Sequence, residues 1–307
     1  MSILTVCLTP TLQKTLRFSS IVPGTVNRTG IHRLDVSGKG INVTRVLTQL
    51  GKKATHLTQL GGDLRPLFLS LCKGDGLNVD WVESNSQIRL CYTLLTDGDN
   101  NVTELVEESE PVGSGTEDAL IKKFDTLISG QTFTYLIISG TKAMGFSDSL
   151  IPQLVQKAKN KGLKVILDIR GKDLIDSLQY KPDIVKPNLY EFASTFAADL
   201  IRGNIFNVDD AAAMRRIKSI SLDMCGKYGC RIILTNGKQK ILVTDRNIFF
   251  EIEVQPVTTV NSTGCGDAFT AGLAVALDDG ADFNAAISEG IRCGTLSVGL
   301  IKPGVIC

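Results

Sequence analysis

Short apolar runs alternate with helix-periodic stretches along most of this chain, and that alternation is what most restricts its fold. Ile3–Leu8 reads as a strand. Ile41–Leu50 reads as a helix, because Val43, Val46, Leu47 and Leu50 fall at i, i+3, i+4 and i+7 with Gly51 as a stop. Ala54–Leu60 is the next strand and Leu64–Lys73 the next helix. Beyond Gly115 the pattern sharpens: strands at Tyr135–Ser139, Lys164–Ile169, Asp183–Lys186 and Arg231–Thr235, helices at Ser147–Lys161, Tyr190–Leu200 and Asp209–Cys225. Helices near Gly266–Leu277 and Phe283–Gly299 close the chain. Such alternation implies an α/β protein with a mainly parallel sheet covered on both faces.

Two stretches, residues about 11–35 and about 86–112, depart from it. Ile88, Leu90, Tyr92 and Leu94 alternate with Arg89, Cys91 and Thr93, a half-buried pattern that a doubly covered sheet cannot hold. They are expected to form a small separate β-sheet lying as a lid over one edge, or an edge extension of the main sheet. Neither repeats nor low-complexity segments divide the chain, which is read as one domain over 1–307.

The net charge of +1, with Lys and Arg scattered, gives no electrostatic footprint for nucleic acid or a membrane surface. No apolar run is long enough to span a bilayer, and the N-terminal segment lacks a basic n-region. The eight cysteines include no C-x-x-C, and His32 and His56 lie near none of them, which disfavours zinc. Reduced thiols and a cytoplasmic location are expected.

Three segments carry chemistry. In Thr263-Gly264-Cys265-Gly266-Asp267 two glycines bracket a small residue, an acid follows, and an almost wholly apolar helix begins. A helix apolar all round is buried, so its N-terminus opens inside the protein, where free amides and the dipole suit an anion. A carboxylate beside such an anion hole suits phosphoryl transfer: amides hold the moving charge and the acid takes the hydroxyl proton. Alone, Asp267 would be read as a dipole partner or cap. Ser37-Gly38-Lys39-Gly40-Ile41-Asn42 places glycines before the first long helix, a weak ligand signal by itself. Val185-Lys186-Pro187-Asn188-Leu189-Tyr190-Glu191 offers a capping box whose side chains would also face the carboxyl edge of the sheet. Neither a Walker loop nor a dinucleotide fingerprint is present.

Together the three segments resemble the ribokinase-like (PfkB) carbohydrate kinases over essentially the whole chain, in that family's order. Residues Thr263–Asp267 are similar to its C-terminal signature, Ser37–Asn42 to its N-terminal glycine signature, and Asn188–Glu191 to its N-x-x-E metal pattern. Within the family, Pro23–Arg28, Gly38–Val43 and Val185–Asn188 look most like the 1-phosphofructokinase and tagatose-6-phosphate kinase branch. The resemblance implies a three-layer α/β/α sandwich with a small β-sheet lid that often makes homodimer contacts. It implies ATP and Mg²⁺, with Asp267 as catalytic base and the amides around Gly264, Cys265 and Gly266 as the anion hole. Lys186, Asn188, Thr235, Gly237 and Gly294 would lie along ATP, and Glu191 with Asn188 would serve the metal. Gln13, Gly38, Lys39, Asn42 and Arg89 would hold the sugar or its phosphate.

The chain also departs from that pattern. Gln13 stands where the branch usually has an aspartate, Ser37 replaces the first glycine of the signature, and Cys265 replaces alanine. Lys142 adds a charge that is expected to be an exposed surface lysine. The leading expectation is a sugar-phosphate kinase, with fructose 1-phosphate or tagatose 6-phosphate as acceptor. Kinases of an unphosphorylated sugar or nucleoside, and a non-catalytic sugar or nucleotide sensor, are the alternatives.

Overall fold

The computed structural model describes residues 2–97, 102–202 and 205–307. In chain order the elements are β1 (Ser2–Leu8), β2 (Thr11–Phe18), β3 (Ile31–Ser37), α1 (Lys39–Gln49), β4 (Lys53–Leu60), α2 (Arg65–Gly74), β5 (Val79–Glu83), β6 (Arg89–Thr96) and β7 (Val102–Val106). Then come α3 (Thr116–Gly130), β8 (Phe133–Lys142), α4 (Leu150–Asn160), β9 (Lys164–Asp168), α5 (Gly171–Ser177), β10 (Ile184–Val185) and α6 (Leu189–Phe196). A short pair, β11 (Ile201–Arg202) and β12 (Ile205–Phe206), precedes α7 (Ala211–Tyr228), β13 (Arg231–Leu234), β14 (Ile241–Asp245), β15 (Ile248–Ile252), α8 (Cys265–Asp278) and α9 (Phe283–Val298).

The main sheet runs β15-β14-β13-β10-β9-β8-β1-β4-β5, parallel from β13 to β5, with β14 and β15 added antiparallel at one edge. Period-two alternation sends successive side chains to opposite faces. Thus Leu4, Val6 and Leu8 of β1 join the core built on α3 to α7, whereas Ile3 joins the core built on α1, α8 and α9. Three layers result, as the strand–helix alternation implies. Helix α3 and the β14–β15 hairpin lie outside the elements expected from periodicity.

Strands β3-β2-β6-β7 form a separate four-stranded sheet, so the small-sheet expectation holds and the edge extension does not. Its burial is the reverse of what alternation suggests. Cys91, Thr93 and Leu95 of β6 are buried, while Leu90, Tyr92 and Leu94 are only half-buried. Burial of the polar row is met in part by pairing across strands, where Gln13 Nε2 donates to Thr93 Oγ1 at 2.8 Å. At one end of this sheet Leu12, Val36 and Ile88 pack with Phe68 and Cys72 of α2 in a third cluster.

Helices α8 and α9 approach closely at Gly272, where a Cβ would lie 2.7 Å from Cys293 Sγ and 2.8 Å from the Glu289 carbonyl oxygen. Alanine in a helix interior usually gains about 0.5–1 kcal/mol over glycine, but overpacking costs about 1–3 kcal/mol. Gly272→Ala is therefore expected to lower the denaturation midpoint. A midpoint at or above wild type would show that the two helices are not held in this contact.

Candidate active site

Parallel strands open their carboxyl ends along one edge, and the strand order reverses direction between β1 and β8. Ligand crevices form at such a switch point. The candidate residues arrive there from elements far apart in sequence. Gly38 caps α1 with φ +103°, and a Cβ on it would lie 3.2 Å from the Thr9 carbonyl oxygen. Gly264 caps α8 with φ +83°, and a Cβ on it would lie 2.5 Å from the backbone nitrogen of Gly304. Only glycine meets both demands at these two caps: a left-handed backbone and a packed neighbour.

Two adjoining cavities, of about 380 Å³ and 440 Å³, hold every residue proposed for the site. Gln13, Gly38, Lys39, Asn42, Arg89, Lys186, Glu191, Gly264 and Asp267 line the first. Gly237, Cys265 and Gly294 line the second, beside Phe269 and Ile291. Asn188, Thr235 and Gly266 line both, so the three sit at the junction. The second cavity is mainly apolar and has the size for a planar heterocycle.

Asp267 is buried in the first turn of α8. Its Oδ2 accepts from Asn42 Nδ2 at 2.8 Å, and its Oδ1 has no partner among the described residues. Burial pushes its pKa up to about 7; Lys39 opposes this, Asp168 adds to it, and the Asn42 amide and Lys186 oppose it. A carboxylate poised there is suited to take a proton near neutral pH. The amides beside it are unequal. That of Cys265 is donated to the Ser262 carbonyl at 3.3 Å, whereas those of Gly266 and Asp267 have no acceptor among the described residues.

A charge cluster faces this carboxylate. Lys39 Nζ lies 3.1 Å from Glu191 Oε1 and 3.5 Å from Asp168 Oδ1, and Lys186 Nζ lies 3.3 Å from Asp168 Oδ2. Lys39, expected at the sugar or its phosphate, is thus held between two carboxylates at the wall of the cavity. Burial lowers its pKa, but Asp168, Glu191 and Asp267 outweigh this and keep it raised. Asp168 is itself pushed up by burial, yet Lys186 and Lys39 hold it below the usual carboxylate range. Asp168 was not among the residues singled out above. Its signal was an acid at the carboxyl end of a parallel strand, where only tertiary structure brings two lysines against it.

Asn188 and Glu191 form a complete capping box: Asn188 Oδ1 accepts from the Glu191 amide at 2.7 Å and Glu191 Oε2 from the Asn188 amide at 3.0 Å. Capping does not withdraw them from the cleft, since both residues also line the cavity. No group of three or more His, Cys, Asp or Glu among the described residues could hold a metal alone. Glu191 shares the cavity with the carboxylates of Glu104, Asp168 and Asp267. Arg89 donates to Thr11 Oγ1 at 2.9 Å and has no carboxylate partner among the described residues, unlike Lys39 and Lys186. Glu104 of β7 crosses the cleft to accept from Thr263 Oγ1 at 2.7 Å.

One reading is corrected. Lys142 is not a surface lysine: its side chain is 14% exposed and pairs with Asp173 and Asp148, away from both cavities. The Cys265 thiol, although at a helix N-terminus, donates to the Asn261 carbonyl, and burial pushes it up to about 12. It is a small, half-buried group held as the neutral thiol and not a reactive thiolate.

Residues 12–304 match the family described as pfkB family carbohydrate kinase. The chain belongs to that family. It is a sugar kinase, and carbohydrate kinases of this family use ATP and a divalent metal. Its fold is shared with phosphofructokinase-2 from Escherichia coli in complex with substrates and products, at a TM-score of 0.84 and 21% identity over 97% of this chain and 93% of that one. It is shared equally with a structure described as a possible 1-phosphofructokinase from Thermotoga maritima, at 0.85 and 18% over 98% and 93%. A tetrameric inhibited form of the E. coli phosphofructokinase-2 aligns at 0.82 and 21%, covering 96% and 93%. No described helix is long and apolar enough to cross a membrane.

In this kinase fold the buried carboxylate carries a cost that pH reveals. Between about pH 4 and pH 7 Asp267 is protonated when folded and ionised when unfolded, so rising pH removes stability through that window. Asp267→Asn is therefore expected to stabilise the protein by on the order of 1–4 kcal/mol at pH 8 and not at pH 4. Equal denaturation midpoints for the two proteins at pH 8 would show that the carboxylate is not desolvated.

Proposed function

We propose that this sugar kinase transfers the γ-phosphoryl group of ATP to a hydroxyl of a sugar phosphate, with Asp267 as general base. One observation carries the reading: a buried carboxylate with one oxygen, and two helix amides beside it, that have no partner among the described residues, in a cavity that also contains an arginine with no carboxylate partner among them.

Acceptor and donor meet where the two cavities join. Asp267 Oδ1 takes the proton of the attacking hydroxyl, and its value near 7 lets the ionised form act at neutral pH. The Gly266 and Asp267 amides, at the positive end of α8, face the negative charge that builds on the moving phosphoryl group. Lys186 and Lys39 add positive charge on the other side. Asn188, Thr235, Gly237 and Gly294 line the nucleotide side, Gly237 and Gly294 in the apolar cavity. Mg²⁺ would be held by Glu191 through water, beside Asn188 and the phosphates, and would neutralise phosphate charge when bound.

At the acceptor end Gln13 is fixed by its bond to Thr93, leaving Oε1 as the free end of its amide. It offers an uncharged acceptor to a sugar hydroxyl where the branch has a carboxylate. Arg89 supplies the charge for the acceptor's own phosphate, as a fructose 1-phosphate or tagatose 6-phosphate would require. An unphosphorylated sugar is the second reading, favoured by Glu104, whose carboxylate lines the same cavity.

The small sheet suits a second copy of this chain. Tyr92 pairs with Leu105 and Leu94 with Leu16 across its strands, on one face, and all four are at least partly exposed. A homodimer through this face is part of the proposal.

A coupled assay over phosphorylated and unphosphorylated sugars tests the reaction. Asp267→Asn is expected to lower kcat by about 10²–10⁴-fold, and a variant within a few-fold of wild type would remove the base role. Arg89→Met is expected to raise KM for the phosphorylated acceptor at least about tenfold, the loss of a charged hydrogen bond, with kcat little changed. An equal effect on unphosphorylated sugars would favour the second reading.

A further inference from the structure

We infer that Arg45 is a positioning residue for the base: it locks the Asn42 amide in the orientation that can only donate to Asp267. The inference rests on the base role proposed above and adds a group that touches neither substrate nor base.

Arg45 sits one turn beyond Asn42 on α1, and three residues apart on a helix share a face. It is 2% exposed and lies outside both cavities. Four of its five N–H donors are used: Nη1 donates to Asn42 Oδ1 and to the Pro303 carbonyl, each at 3.0 Å, Nη2 to the Val36 carbonyl at 2.5 Å, and Nε to Asp75 Oδ2 at 2.9 Å. Arginine has donors and no acceptor, so Asn42 must turn its oxygen toward it. Ser37 Oγ reaches the same oxygen at 3.4 Å. Asn42 Nδ2 is then the end that faces Asp267 Oδ2.

An ionised Asp267 would choose that orientation unaided, since a carboxylate only accepts. A protonated Asp267 would not: its hydroxyl donates, and a free amide would flip to accept from it. Such a flip favours the neutral acid and raises the pKa. By forbidding the flip, Arg45 keeps Asn42 on the side of the ionised base. It also keeps Asp267 Oδ2 occupied, leaving Oδ1 toward the cavity.

The charges around both groups define the controls. Asp267 is faced by Lys39 from α1, Asp168 from β9 and Lys186 from the end of β10. Arg45 is faced by Asp75 and Cys72 from the α2 end; Lys302 from the C-terminal segment and Asp35 from β3 complete the cluster. Arg45→Lys keeps the charge and its partner Asp75 but replaces the fork by one ammonium, which cannot serve four acceptors. It is the main variant because Arg45→Met risks losing the fold.

Two readouts are compared: the acid limb of kcat/KM against pH, and the titration of the Asp267 carboxyl by ¹³C NMR. Arg45→Lys, and Arg45→Met where it folds, are expected to move both upward by about one pH unit, so that activity falls about tenfold at pH 6 and converges with wild type at high pH. In an Asn42→Ala background the same substitution should leave both unmoved. Asp75→Asn, which breaks the ion pair and spares the Asn42 contact, should lower thermal stability without moving the limb. An Arg45→Lys protein whose carboxyl titrates as wild type overturns the inference, as does a shift that persists undiminished without Asn42. A carboxyl that shifts in an enzyme with no Asp267-dependent limb keeps the relay and removes the base role instead.

Discussion

The hydrogen bond between Asn42 and Asp267 joins residues 225 positions apart, and the rest of the site is arranged around it. It ties the first long helix to a buried one near the end of the chain, and it leaves Oδ1 as the Asp267 oxygen with no partner among the described residues. Helices α1 and α8 both begin at the carboxyl edge of the sheet, so their N-terminal dipole ends converge on one cleft. A glycine caps each of them because the neighbouring backbone leaves no room for a side chain.

Burying that carboxylate is unfavourable, and beyond the Asn42 amide the fold answers with positive charge placed at a distance rather than with a directly bonded cation. Lys39 and Lys186 pull Asp267 down while Asp168 pushes it up, and the two lysines are themselves held by Asp168 and, for Lys39, Glu191. A lysine bonded directly to Asp267 would drop its pKa far below neutrality and make it a poor base. A carboxylate with no cation nearby would stay protonated. The balance leaves it close to 7.

The small sheet shows how function can override pattern. Apolar residues on alternate positions of β6 point to a face that should be buried, yet the buried row is Cys91, Thr93 and Leu95. That row and its neighbours on β2 turn polar groups such as Gln13 toward the cleft, where pairing with Thr93 makes their burial tolerable. The row of Leu16, Tyr92, Leu94 and Leu105 is left partly exposed, and alternation alone cannot tell a core-facing surface from one turned away from the core.

The amino-acid sequence by itself determined the parallel sheet, most of its helices and the three segments that line the cleft, because these are local: periodicity, glycine spacing and a capping box are written within a few residues. The residues those segments and the resemblance nominated line two adjoining cavities of the fold. Only the tertiary structure decided the pairing of Lys39 with Asp168 and Glu191, the reach of Arg45 to Asn42 and to the Pro303 carbonyl, and the commitment of the Cys265 amide and thiol. Three of those contacts span more than a hundred residues, and the chemistry of a charged group depends on what lies within a few ångströms of it, which no local pattern records.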